Sequence, residues 1–311
     1  MALFNNTSLA ESSRKLFSAK LEQFLSFMPK GSTIESIIDN PDLAVKALAK
    51  RTEIAQTEAN KHMFYSAVVA YLKHTDDGKR RSQRTKDRWT EIQKENWELR
   101  RKQGLDNEPL ANQAAVAEKI VWQDIVSKRD TLKSGSIEKL LLSLYTYIPP
   151  VRADYYDIRI NPPKSIIEDK KSNYVILTAD AATSLIVIRD FKTAAKYKEI
   201  KHVIPEPLHA EIQNSLKEKP RQYLFTMPTD NKRPYDRNSF SKWANKTLKE
   251  LFTVPVTLTT LRHLFISTID FNKTRGTELE KIGNSMGSQH SDAKRLSMDL
   301  KLFPITTNSC G

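Results

Sequence analysis

The feature that most constrains this chain is a change in the period of its apolar residues. Up to about residue 104 every apolar stripe has helical spacing, whereas beyond residue 170 contiguous β-branched runs join the helical ones. A segment that can bury only helical stripes has to fold as helix upon helix. Phe17, Leu21, Phe24, Leu25 and Met28 form the first stripe, which stops at Pro29-Lys30-Gly31. A second begins near Thr33 with Ile34, Ile37 and Ile38. Residues 39–41 then offer a turn and a fresh helix start ahead of Leu43, Val45 and Leu48. Residues 53–73 carry another stripe, with Ile54, Met63, Phe64, Val68 and Leu72. The expectation is a small helical bundle whose stripes form its core. It contains no internal repeat and no low-complexity tract.

Residues 76–104 change character. Lys79, Arg80, Arg81, Arg84, Lys86 and Arg88 fall within ten positions, with Trp89 and Trp97 following. Such a segment can track phosphates through salt-sensitive contacts that ignore base sequence. Equally, it is a solvated helix in which Asp87, Glu91, Glu95 and Glu98 supply intrahelical partners. The sequence leaves both readings open. Residues 105–109, LDNEP, read as the start of a linker. The expected organisation is a helical domain over 1–104, a linker over 105–114 and a second domain over 115–311.

The second domain mixes periods. Residues 115–129 and 134–147 read as helices that turn Ile120, Trp122 and Ile125, then Ile137, Leu140, Leu141 and Leu144 inward. Pro149-Pro150 ends the second of these and delivers Arg152 to the next turn. Residues 174–177 and 184–188 are β-rich runs, and residues 199–204 make a third candidate strand ended by Pro205. Lys192 therefore lies on the connection after the second strand. From Leu208 onward the pattern is helical, with Phe240, Trp243, Leu248 and Phe252 on one face. A further helix starts at Thr257 and turns Leu258, Leu261, Phe265 and Ile269 inward. The fold class expected is mainly α with a small antiparallel β-sheet.

Charge narrows the partners. The formal net charge is +13 and the pI about 9.6, which favours a polyanion such as nucleic acid or an anionic membrane surface. Basicity for solubility alone is the competing explanation, set back because the charge coincides with the motifs below. Cys310 is the only cysteine, so no intrachain disulfide framework or Cys-rich zinc site is expected. No stretch approaches a membrane span, and residues 1–16 lack the apolar run of a secretory signal. An intracellular, reducing location is the expectation.

Four cationic residues in the second domain have distinctive neighbours: Arg152 in PPVRADY, Lys192 in RDFKTAAKY, Arg262 in TLRHLF and His290 in MGSQHS. Together they could surround one phosphodiester with charge and hydrogen-bond donors, which is the main requirement of phosphoryl transfer. Taken with LLSLYTYIPPVRADYYDI, RPYDRNSFSKWANKTL and TLTTLRHLFIS in this order, residues 122–301 resemble the catalytic domain of the tyrosine recombinase/integrase superfamily. The flavour is that of its divergent branch in large DNA viruses, satellite viruses and eukaryotic recombinase-bearing transposons. The helical half resembles that family's DNA-clamping core-binding domain. The resemblance thus implies a helical clamp followed by a mixed α+β catalytic domain.

By position, Arg152 resembles the first catalytic arginine, with Asp154 near its acidic support. Lys192 resembles the β-hairpin lysine that protonates the leaving sugar oxygen, with Lys196 and Lys198 as weaker candidates. Arg262 resembles the second arginine, whose planar fork can bind two phosphate oxygens. Where the family carries histidine three positions before it, this chain has Thr259, which can donate a hydrogen bond but cannot relay a proton near neutral pH. His290 fits the later histidine if the loop after Gly287 has gained two residues; otherwise Ser288 takes that slot. The position of the tyrosine nucleophile falls around residues 296–298, best at Ser297. No tyrosine follows Tyr235 in the sequence.

The resemblance implies a site-specific recombinase that cuts and rejoins DNA through a covalent 3'-phosphotyrosyl link, in a form without the nucleophile, whether by engineering or natural loss. The alternative is a catalytically silent DNA-binding protein on the same scaffold. No metal or nucleotide cofactor is implied. The implied partners are double-stranded DNA and further copies of the chain, as a dimer or tetramer on DNA, with no membrane. The implied location is wherever that DNA resides, a nucleus or a viral factory.

Overall fold

A computed structural model describes residues 3–4, 9–51, 57–105, 116, 119–270 and 273–287. The chain divides into two compact units, Met1–Glu108 and Pro109–Gly311. Among the described residues the protein is mainly α, with a small, mostly antiparallel sheet and a short hairpin. No described helix is long and apolar enough to cross a membrane.

The first unit contains α1 (Glu11–Leu25), α2 (Ile34–Asp39), α3 (Pro41–Ala49), α4 (Glu58–His74), α5 (Asp76–Arg80) and α6 (Gln83–Leu105). Local chemistry sets the starts. Thr33 caps α2 by accepting the Ser36 N–H at 3.3 Å while the Ser36 hydroxyl accepts the Thr33 N–H at 2.9 Å. Pro41 opens α3 at a position where its missing N–H costs nothing. The stripes named above meet in one core of Leu21, Phe24, Ile37, Ile38, Leu48, Phe64, Val68 and Trp89. Trp89 is fully buried, and its indole N–H donates to the Ile38 carbonyl at 2.9 Å, so its one polar atom is satisfied.

In the second unit, α7 (Trp122–Thr131) and α8 (Ile137–Thr146) precede β1 (Arg159–Ile160), α9 (Lys164–Glu168), β2 (Tyr174–Ile176) and β3 (Leu185–Ile188). There follow α10 (Ala194–Tyr197), β4 (Ile200–Val203), α11 (Glu206–Glu218), the hairpin β5 (Thr226–Met227) and β6 (Asp230–Pro234), α12 (Arg237–Leu251), α13 (Leu258–Ser267) and α14 (Gly276–Ser285). The sheet order is β1-β2-β3-β4, with β1 parallel to β2 and the other pairs antiparallel. Its core joins the inner faces of α8, α11, α12 and α13 through Leu140, Leu144, Ile186, Ile188, Leu208, Ile212, Phe240, Leu248 and Leu261.

Three local expectations need correction. The helix expected over 115–129 is interrupted: Val116 is helical, residues 119–121 are not, and α7 begins at Trp122 with Ile120 buried ahead of it. The helical pattern expected from Leu208 onward is broken by the β5–β6 hairpin, whose polar strands carry no apolar alternation to read. Strand β1 also escaped: two residues are too short for any periodicity, and pairing with β2 alone makes them a strand.

Candidate nucleic-acid interface

The apolar stripe of α13 runs through Leu258, Leu261 and Leu264, and Arg262 sits beside it, only 5 % exposed. A buried guanidinium needs acceptors. Arg262 Nη1 donates to the Pro150 carbonyl at 3.3 Å and the Met286 carbonyl at 3.1 Å. Arg152 reaches the adjacent residue of the same turn, its Nη1 donating to the Gly287 carbonyl at 3.0 Å. The Thr193 hydroxyl donates to that oxygen as well, at 2.7 Å. The turn closing α14 thus receives Arg152, the residue after Lys192, and Arg262 on two successive carbonyls. Cations at a helix C-terminus are also favoured by its dipole.

The Arg152 segment is fixed from three sides. Pro149-Pro150 follow α8 and hold the backbone extended, as the sequence predicts. The Tyr145 hydroxyl donates to the Arg152 carbonyl at 2.5 Å. The Arg152 N–H donates to Asp154 Oδ2 at 3.2 Å. Asp154 is 2 % exposed, and its ion-pair partner is the guanidinium of Arg237, not that of Arg152. This corrects the expectation of a simple Arg152–Asp154 pair: Asp154 supports Arg152 through the backbone.

Burial pushes the Asp154 carboxyl above the ordinary carboxylate range, opposed by Arg237 and then by Arg152 and Arg262. For Arg237 burial acts the other way, but Asp154 and Asp190 outweigh it and raise its value. Both values rise, Asp154's because burial dominates there and Arg237's because its acidic partners outweigh burial.

Arg152, Lys192, Thr259 and Arg262 all line one cavity of about 680 Å³, together with Asp190, Arg237 and His263. Lys192 is exposed at its mouth, on the segment between β3 and α10. Lys196 and Lys198 do not line it: Lys196 lies 5.2 Å over the Tyr197 ring, and Lys198 donates to the Ala195 carbonyl. His263 stands four residues after Thr259 and so on the same face of α13. Burial, followed by the charge of Arg262, pushes its imidazole down to about 4, so it is neutral at physiological pH. His290, Ser288 and Ser297 lie outside the described residues. Tyr235 stacks on Trp243 with centroids 5.4 Å apart, amid Phe225 and Phe240, and faces a separate aromatic cavity of about 410 Å³.

The basic run in the first unit is largely engaged within that unit. Arg81 pairs with Asp77 at 2.7 Å and Asp39 at 2.6 Å, and Arg88 with Asp42 at 2.9 Å and Glu91 at 2.7 Å. Lys79 faces Asp76 at 3.6 Å, and Lys86 donates to the Lys79 carbonyl at 2.7 Å. Arg80 and Arg84 are exposed, Arg84 in a cleft that it shares with Asp39, Asp42, Asp87 and Glu91. Solvated-helix pairing was legible only for Glu91; the Asp39 and Asp42 pairs come from α2 and α3.

Sequence reasoning missed Arg237 and Asp190 at the cavity. Both lie within segments that carry the resemblance, RPYDRNSF and RDFKTAA, but no spacing marks them. The available signal was an arginine at the first position of a helix, where the dipole disfavours it.

No protein-family model matches the chain, and no curated protein matches it. Among solved structures it is similar to the crystal structure of XerA recombinase, with 14% identity, coverage of 93% of this chain and 88% of that chain, and a TM-score of 0.41.

Proposed function

We propose that this chain is a DNA recombinase of the tyrosine type by architecture, in a form that binds the scissile phosphodiester but lacks a tyrosine at the nucleophile slot, Ser297. The observation that carries the reading is the convergence of Arg152, Lys192 and Arg262 on one concave, cation-rich cavity. These residues are 110 positions apart at the extremes, yet they line one cavity. Arg152 spends one Nη on a turn carbonyl. Its fork has further N–H groups to offer a phosphate.

In the proposed chemistry the two arginines bind the non-bridging oxygens and stabilise charge as it grows there. A nucleophile oxygen would bond to phosphorus while the bond to the 5' oxygen breaks, and Lys192 would give that oxygen its proton. The phosphodiester energy would pass into the new covalent link, so rejoining would reverse the same steps. The first unit would clamp duplex DNA through exposed cations such as Arg80 and Arg84. Assembly of further copies on DNA, and service in a mobile element or virus acting where its target DNA resides, belong to the same proposal.

A second reading, a silent DNA-binding protein on this scaffold, is favoured by two observations: serine at position 297 and threonine at position 259. A serine hydroxyl is shorter by an aromatic ring and far less acidic than a phenol. A nicked suicide duplex separates the readings. The chain is expected to bind it and form no covalent adduct, and Ser297→Tyr to gain a phosphotyrosyl adduct that Arg262→Ala abolishes. A Ser297→Tyr protein that binds but stays inert would favour the silent reading. An adduct formed by the unaltered chain would overturn the nucleophile assignment, and its trapped peptide would identify the residue used.

A further inference from the structure

Arg237 has no role in the reading above, yet both of its Nη atoms are engaged at the cavity. It is the first residue of α12, where the helix dipole opposes a positive charge, so its partners have to hold it there. One Nη donates to Asp154 and the other to the Asp190 carbonyl at 3.0 Å, with Asp190 Oδ2 at 3.4 Å. The guanidinium lies over the Tyr156 ring at 5.0 Å, and the Tyr156 hydroxyl donates to Asp190 Oδ2 at 2.5 Å. Asp190 is further fixed by its N–H, which donates to Asn173 Oδ1 at 2.8 Å.

The sequence positions of the two carboxylates give this network its meaning. Asp154 is two residues after Arg152 and accepts the Arg152 N–H, while Asp190 is two residues before Lys192. The Arg152 segment follows α8 and the Lys192 segment follows β3, so nothing local sets the distance between them. We propose that Arg237 is a positioning residue, a brace that bridges Asp154 and Asp190 and thereby sets the spacing of Arg152 and Lys192 across the cavity. The inference rests on reading that cavity as a phosphodiester site. Arginine suits the task because its planar fork serves two acceptors in fixed directions, whereas an ammonium is a point charge that would settle on one.

A purely electrostatic role and a bracing role make opposite predictions for the acidic partner. Asp190→Asn removes a negative charge from the cavity, so electrostatics alone predicts tighter anion binding; a broken brace predicts weaker binding. Arg237→Lys keeps the charge, so electrostatics alone predicts no change. The probe is inorganic phosphate, titrated into the full chain and followed by phosphorus NMR, with thermal unfolding recorded for each variant. Arg129→Gln serves as a stability control, because Arg129 is buried against Thr146 and Asp130 and does not line the cavity.

Both Arg237→Lys and Asp190→Asn are expected to weaken phosphate binding by about fivefold or more, a size typical of coupled neighbours, while Arg129→Gln lowers the unfolding temperature and leaves affinity unchanged. Unchanged affinity in Arg237→Lys, or tighter binding in Asp190→Asn, would overturn the brace. Arg262→Met separates this from the underlying reading. If Arg262→Met abolishes phosphate binding while the brace variants bind normally, the brace alone fails. If the unaltered chain binds no phosphate, the phosphodiester reading fails and the brace with it.

Discussion

Replacing Gly287 with alanine tests the geometry on which the cavity depends. Gly287 closes α14 with φ +60°, in the left-handed region, and its carbonyl receives both Arg152 and Thr193. A side chain in that conformation costs roughly 1–2 kcal/mol. The stiffer unfolded chain returns about 0.4–1 kcal/mol. An added Cβ would also lie 3.1 Å from Ile200 Cδ1 and 3.1 Å from Phe191 Cδ2, both packed in the core, so these side chains have to give way. Crowding of that kind adds roughly 1 kcal/mol, for a net loss of about 2 kcal/mol. In a unit of this size that corresponds to a fall of about 4–8 °C in unfolding temperature.

Thermal and urea unfolding measure the loss directly, and phosphate titration should show weaker binding because the Gly287 carbonyl anchors Arg152. Gly276→Ala is the internal control, since nothing lies within 4 Å of its added Cβ and its φ is not positive. There alanine should be neutral or stabilising by about 0.5 kcal/mol. Equal stability of the Gly287→Ala and Gly276→Ala proteins would refute the argument that this turn is held in a strained, tightly packed form.

Acid should destabilise the second unit through a buried histidine. Burial depresses His202 to about 4, against 6.5 when unfolded, so stability is intact above pH 6.5 and falls as pH drops through that window. The loss approaches on the order of 3 kcal/mol at saturation, and His202→Gln should flatten the curve; an equally steep acid limb in that variant would exclude His202 as its source. Asp154 has the opposite sign: its raised value favours folding at low pH, and the gain is lost as pH rises through it. Asp154→Asn should remove that component, read as the difference between pH-dependent urea midpoints. In the first unit Gly78→Ala should cost about 3 kcal/mol or more, because its Cβ would meet the Tyr71 carbonyl oxygen at 2.2 Å and Leu72 Cα at 2.6 Å, both backbone. Retained stability would mean that α4 and α5 pack less closely than described. Duplex DNA binding should weaken steeply with salt, and the Arg80→Ala, Arg84→Ala double variant should reduce the slope of log affinity against log salt by about 2; an unchanged slope removes these two from the interface.

Local chemistry determined much of this protein. The helices of the first unit follow from apolar stripes, caps at Thr33 and Thr57 and the Pro41 start, all within a few residues of what they control. The strands at 174–176 and 185–188 follow from β-rich runs, and that at 200–203 from alternation of buried and exposed residues. Pro149-Pro150 fixed the exit of α8 and with it the place of Arg152. Tertiary structure alone decided the rest. Strand β1 exists only by pairing, and one acidic partner each of Arg81 and Arg88 comes from a helix 42 or 46 positions away. That Arg152 and Arg262 grip successive carbonyls of one turn, and that Arg237 joins Asp154 to Asp190, depends on contacts between segments 24 to 135 residues apart. Periodicity reports the burial of a face within one element; it carries no term for the distance between two polar side chains on different elements, which only packing of the whole domain sets.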